Sequence, residues 1–266
     1  MKVALCVIGR MENRYAVEYV EWYKTLGFDK IFVYDNNFGN EEHFEDVLQP
    51  YVDEGFVEII DCRDRQTYQL AAYTDCYNKN KEEYDWIAFF DFDEYLVLKK
   101  DDDIKSFLSH FDGFQCVKIN WMVYTDNDLV RSDYRPLNER FTEPMEYDKC
   151  VQYDFPDNNH VKSILKCNID NFDWAGNPHI PNMAINACNT KAEKCDNQPF
   201  QPYDFDVAYL KHFITKTIEE WIGIKILRGT PDVSYKTFME KNKDRFFKYN
   251  KITDEKIEFL NGKRKD

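Results

Sequence analysis

The sequence predicts an α/β fold with a mostly parallel central sheet flanked by helices, and three observations carry that prediction. Apolar strand-like runs alternate with helix-period segments from the first residues to Glu94. Hydrophobic residues make up 43% of the 266, with 18 Tyr and 21 Phe, enough for a sizeable core and too many for a disordered chain. No run of eighteen apolar residues occurs, so a soluble chain is expected and any membrane contact would be peripheral.

Taken in order, Val3 to Ile8 reads as a buried strand, and the seven uncharged residues between Lys2 and Arg10 are too few for a signal segment. From Ala16, the residues Val17, Val20, Tyr23 and Leu26 recur at helical spacing until Gly27 stops them. Lys30 to Asp35 is a second strand, ended by Asn36, Asn37 and Gly39, and a short helix over Glu41 to Tyr51 follows. Val57 to Cys62 is the third strand. Leu70, Tyr73 and Tyr77 place a helix over Gln66 to Lys81, and Trp86 to Phe90 is a fourth strand running into Asp91-Phe92-Asp93-Glu94. Such β-α order implies right-handed crossovers and a ligand beyond the carboxyl ends of the strands. The polar residues at those ends are Arg10, Glu12 and Arg14, then Asp35 and Asn36, then Arg63 and Arg65, then the Asp91 cluster.

The second half is less regular. A strand is expected over Phe114 to Val123 and an apolar segment over Val161 to Cys167, within a stretch from 125 to 206 dominated by Asn, Asp, Pro and Tyr. Ile218, Trp221, Ile222 and Ile226 then mark an amphipathic helix stopped at Gly229 and Pro231, with a charged helix over 232 to 248. A formal charge of −14 argues against nucleic acid as a partner. Eight Cys without a C-x-x-C pair read as reduced structural thiols in a cytoplasmic protein.

Four Asp-x-Asp triplets occur, at Asp91/Asp93, Asp101/Asp103, Asp126/Asp128 and Asp204/Asp206. With 29 Asp in the chain, chance alone gives about three. Context separates them: only Asp91-Phe92-Asp93 follows a buried strand at the ligand-bearing edge. On an extended segment its two carboxylates point the same way and can share one divalent cation, while Phe92 turns into the core. The plain alternative is a solvated strand end or a helix cap.

Several segments resemble one family. "WIAFFDFDEYLVL" looks like the Asp-x-Asp region of glycosyltransferases with the GT-A fold, more narrowly of glycosyltransferase family 92 and its bacterial family-2-like relatives. "NRYAVEYVEWYKTLGFDKIFVYDNN", "QLAAYTDCYNKNKEEYDWIAFFD", "INWMVYTDNDL" with "LNERF", "HVKSILK" and "LKHFITKTIEEWIGIKILRG" are similar to further blocks in the same order. The resemblance implies a Rossmann-like GT-A domain over 1–230, with a nucleotide-sugar-binding half over 1–124 and an irregular acceptor-side, metal-completing half over 125–230. Residues 231–266 would form a C-terminal helical extension.

The same resemblance implies sugar transfer from a nucleotide sugar, with a UDP-sugar favoured, to a hydroxyl of a glycan or lipid-linked saccharide, with inversion and with Mn²⁺ or Mg²⁺ on the diphosphate. Asp91 and Asp93 would hold the metal, with His212 as the completing ligand and His179 its rival, and Lys211 or Lys216 near the phosphates. Arg10, Glu12, Arg14, Asp35, Arg65 and Gln69 would receive the base and ribose. Glu139 is the expected general base, ahead of Asp148, Asp154 and Asp173. Trp121 and Trp174 are placed either against sugar faces or in the core. A nucleotidyltransferase making the nucleotide sugar, and a non-catalytic binder of one, are the alternatives. The first would call for a glycine-rich loop after strand one, where "CVIGRMENR" has only Gly9.

Overall fold

The structure, a computed structural model, describes residues 1–146, 151–152, 155–174, 176–181, 183–226 and 245–263. Its first half runs β1 Val3–Gly9, α1 Asn13–Thr25, β2 Lys30–Asp35, α2 Glu45–Asp53, β3 Val57–Asp61, α3 Gln69–Asn80 and β4 Trp86–Phe89. Then come β5 Glu94–Leu98, α4 Ile104–Leu108, β6 Cys116–Val123, α5 Leu137–Arg140, the short pair β7 Val151–Gln152 and β8 Phe155–Pro156, and β9 Val161–Lys166. Last are β10 Ala187–Cys188, β11 Lys194–Cys195, β12 Ala208–His212, α6 Ile218–Glu220 running into a π-helical turn Trp221–Ile226, α7 Phe246–Tyr249 and α8 Asp254–Lys263.

Every residue of β1 is buried, as a strand covered on both faces must be, which is why its sequence is continuously apolar rather than alternating. β1 lies between β2 and β4, parallel to both, and β3 pairs outside β2. The chain therefore builds outward from β1 to β3 and returns to the other side of β1, which makes the gap between β1 and β4 the point where strand order reverses. Aromatic side chains fill both faces. Tyr19, Tyr23, Phe90, Phe92 and Tyr95 pack on one, and Tyr73, Tyr77, Phe89, Phe172 and Trp174 on the other.

β9 runs antiparallel between β4 and β6, and it carries Lys162 across to the acidic turn. β6 pairs with β10 near its start, and from Trp121 onward with β12. β12 in turn pairs antiparallel with β5 in a register that sets His212 opposite Glu94. The irregular half thus delivers a histidine to the turn that follows β4.

Two expectations change. Asp91 to Asp93 is a tight turn and not an extended segment, because Glu94 N donates to Asp91 O at 3.0 Å. The helix expected over Glu41 to Tyr51 begins at Glu45, since the Glu41 carboxylate is taken by Arg10 and by the Phe38 amide. The helix expected over 232 to 248 falls mostly outside the described residues, as do Asp148 and Asp154.

Candidate functional site

The acidic turn is fixed from below by Phe92, which stacks on Phe44 at 5.2 Å between ring centroids. Asp91 Oδ1 accepts hydrogen bonds from Gln69 Nε2 at 2.9 Å and Tyr73 OH at 3.1 Å, and Oδ2 accepts one from Lys162 Nζ at 2.7 Å. Lys162 is fully buried and also lies 3.7 Å from Glu94 Oε1. Burial works against its charge, yet Asp91 and Glu94 together raise its pKa above the ordinary value. Burial likewise works against the charge of Glu94, and it pushes that carboxyl well above the carboxylate range. Its Oε1 is buried without a hydrogen-bond partner.

Asp93 is 6% exposed and faces a different set of groups. His212 Nε2 stands 3.6 Å from its Oδ1 and Lys216 Nζ 3.7 Å from its Oδ2. Lys216 is itself buried, lies 4.6 Å over the Tyr15 ring and adopts a left-handed φ of 56°. The structure therefore brings Asp91, Asp93, His212, Lys216 and Gln69 together, and adds Lys162 and Glu94.

Behind this turn the rings of His160, His179 and His212 surround Trp121, with centroids at 4.8, 5.0 and 4.1 Å. Trp121 is core-like, and its Nε1 is buried with no hydrogen-bond partner. His179 Nδ1 pairs with Val161 O at 3.0 Å, and burial keeps its pKa well below the usual histidine value. His212 rather than His179 is the ring that faces Asp93. Trp174 belongs to the core: its ring packs on Phe89 at 4.5 Å and its Nε1 donates to Asn177 O, so it has no face left for a sugar.

At the ends of β1 to β3, Asp35 is buried with both carboxylate oxygens engaged, Oδ1 by the Asn37 amides and Oδ2 by Arg63 at 2.8 Å. Arg10 forks onto Glu41 and lies 4.2 Å over the Phe38 ring. Glu12 is buried at the start of α1, where its carbonyl accepts from Tyr15 and Ala16. Arg14 reaches Ser132 and stacks on Tyr134, and Arg65 donates to the Tyr68 hydroxyl. These residues follow the carboxyl ends of β1, β2 and β3, and Gln69 at the start of α3 bonds Asp91.

Glu139 is exposed on α5, and α5 is tied to β12 where Lys211 Nζ donates to Asn138 Oδ1 at 2.9 Å. Asp173, exposed, accepts from Thr74 at 3.4 Å. The other Asp-x-Asp triplets have structural partners. Asp103 caps α4 while Asp101 meets His110, Asp126 and Asp128 grip the buried Lys256, and Asp204 and Asp206 grip Lys191. Among the described residues, three potential metal-ligand atoms from His, Cys or carboxylates converge within 4.8 Å only at Asp35, His43 and Glu45, two of which are exposed.

Sequence reasoning passed over Lys162 and Glu94. A lysine inside the apolar strand "HVKSILK" was the available signal, since a charge in a strand buried on both faces needs a partner.

A family model described as Glycosyltransferase family 92 matches residues 2–258. The galactan beta-1,4-galactosyltransferase GALS1 of Arabidopsis thaliana is 28% identical over 99 residues, covering 35% of this chain and 20% of that protein. A glycosyltransferase family 92 protein of Ricinus communis is 25% identical over 97 residues, covering 36% of this chain and 17% of that one. The chain thus spans about a fifth of the length of these curated relatives. Among solved structures, S. aureus TarS 1-349 in complex with UDP-GlcNAc aligns over 96% of this chain and 77% of that one at 12% identity, with a TM-score of 0.48. Matched along nearly its whole length, with the acidic turn and its histidine inside the match, this chain belongs to glycosyltransferase family 92.

Proposed function

We propose that the chain transfers a sugar from a nucleotide-sugar donor to a hydroxyl of a glycan or lipid-linked saccharide, with inversion at the anomeric carbon. The observation that carries the reading is the pairing of Asp93 with His212 at the carboxyl end of β4, beside the point of strand-order reversal. The galactosyl transfer in the name of the Arabidopsis relative is in keeping with a hexose donor.

In the reaction a bond forms between the acceptor oxygen and the anomeric carbon, and the bond from that carbon to the diphosphate breaks. The electron pair leaves with the nucleoside diphosphate, so positive charge is needed where it accumulates. A bound Mn²⁺ or Mg²⁺ supplies Lewis-acid stabilisation there. Asp93 and His212 fit such an ion, as one carboxylate oxygen and one imidazole nitrogen 3.6 Å apart. Hard cations of this kind take few protein ligands and complete their shell with phosphate and water oxygens. Asp91, committed to Lys162, Gln69 and Tyr73, holds the turn in place. Asp35, Arg10, Glu12, Arg14, Arg65 and Gln69 form the edge assigned to base and ribose, and Glu139 is assigned the acceptor proton.

A panel of nucleotide sugars with Mn²⁺, read as nucleoside diphosphate release and thermal stabilisation, tests this. One UDP-sugar should be turned over, with activity lost in EDTA and reduced about 100-fold or more in Asp93→Asn. Turnover indifferent to both chelation and Asp93→Asn would end the assignment. Pyrophosphate release would favour a nucleotidyltransferase, and stabilisation without release a non-catalytic binder.

A further inference from the structure

We propose that Lys216 is a latch on Asp93: its ammonium occupies the carboxylate until a nucleoside diphosphate arrives, so a divalent cation enters this site with the diphosphate and not before it. The proposal rests on the donor-site reading above and adds an order of binding to it.

The argument begins with charge. Among the described residues, Asp91 and Asp93 face the ammonium groups of Lys162 and Lys216, with the Glu94 carboxyl buried beside them and the group mostly shielded from water. A divalent ion added alone would bring positive charge to carboxylates that the two lysines already face, and unbalanced charge in a desolvated site is costly. An ion accompanied by a diphosphate avoids that cost, because the phosphates bring their own negative charge.

The two lysines are not equivalent. Lys162 is locked, with its Nζ in a 2.7 Å hydrogen bond to Asp91 and no solvent exposure. Lys216 is held loosely, at 3.7 Å from Asp93 Oδ2, beyond direct hydrogen-bond length, and it leans on the Tyr15 ring. It is also the one of the two whose backbone occupies the left-handed region, a conformation unfavourable for a side chain with a Cβ. Its neighbours hold it there. Thr215 Oγ1 accepts from Asn250 Nδ2 at 2.9 Å, and Thr217 starts α6 through a capping box with Glu220. A cation maintained in a strained segment against a carboxylate is placed to exchange that carboxylate for a phosphate oxygen.

The test titrates Mn²⁺ onto the full chain and follows the loss of the free-ion electron paramagnetic resonance signal, without nucleotide and with saturating UDP, with GDP as a second probe. For the wild type, Mn²⁺ alone should bind at least about tenfold more weakly than Mn²⁺ with UDP. In Lys216→Met, Mn²⁺ alone should bind at least about tenfold more tightly than in the wild type, narrowing the gap. Lys216→Gln serves if the Met variant does not fold. Equal wild-type affinity with and without nucleotide would overturn the latch while leaving the donor-site reading intact, as would unchanged Mn²⁺ affinity in both variants. Absence of Mn²⁺ binding under every condition would overturn both.

Discussion

At Gly9 a methyl group would sit 2.5 Å from Phe92 Cε2 and 3.0 Å from Phe44 Cζ, closer than real contacts allow. The last residue of β1 therefore has no side chain so that Phe92 can tuck under the strand and carry Asp91 and Asp93 on either side of it. Gly9→Ala should cost about 1–3 kcal/mol by overpacking, and Phe92→Ala about 3–5 kcal/mol by leaving a cavity. Both are measured as a lowered denaturant midpoint at unchanged m-value. Combining Gly9→Ala with Phe92→Leu should recover part of the first loss, because the two residues share one space. A Gly9→Ala chain as stable as the wild type would show that Phe92 does not fix the turn. At this scale the sequence disclosed Phe92 as inward-facing, through its place between two acids after an apolar strand. It did not disclose Lys162. One lysine among 35 basic residues carries no local mark of its partner, and Asp91 lies 71 residues away.

Between elements, the closest counterpart of that hidden pairing is the clamp that joins α1, α5 and α6. Glu220 accepts from Tyr15 OH at 2.8 Å, from both Arg140 terminal nitrogens at 2.9 and 3.0 Å, and from Thr217 Oγ1 at 2.7 Å. The periodicity of Ile218, Trp221 and Ile222 made α6 legible, but it says nothing of where Glu220 goes. Burial of Glu220 follows from Arg140, 80 residues upstream, which no periodicity can show. Burial opposes its ionisation, yet the Arg140 fork, Thr217 and Tyr15 overcome that and hold the carboxyl at about 2. The folded-state pKa is thus depressed from 4.5, so this contribution to stability is complete above that value and is lost as pH falls toward about 2. Arg140→Met leaves the buried carboxylate with only the more distant Arg14, 3.9 Å from its Oε1, and should destabilise by about 3–5 kcal/mol. Arg140→Met with Glu220→Leu should recover most of the loss in thermal unfolding at pH 7. A double variant no better than the single would show that the clamp matters for its packing and not its charge.

Across the whole molecule, acidic side chains outnumber basic ones by 14, and the fold answers by burying cations where acids gather. Lys162 and Lys216 serve the acidic turn as Lys256 serves Asp126, so three of these cations are nearly or wholly inaccessible. The β-α order of the first half was legible because each element is long and periodic. The insertion of β9 between β4 and β6 was not, because it depends on pairing between strands separated by an irregular stretch. That insertion also creates the enclosed imidazole cluster, and the cluster sets how the molecule responds to acid. His160 stacks on Trp121, touches Phe200 and His179, and is faced by Asp157, Arg245 and Lys248. Burial outweighs the pull of Asp157 and lowers its pKa from 6.5 to about 4. The unfolded chain takes up this proton first, so stability is full above pH 6.5 and declines as pH falls toward about 4, by about 3 kcal/mol in all. His179, held neutral by burial, adds to the decline in the same direction. Urea unfolding at intervals from pH 7.5 to 4.5 should show that slope, and His160→Gln should flatten it whatever it does to stability at pH 7.5. An identical slope in the variant would mean that His160 is charged in the folded protein.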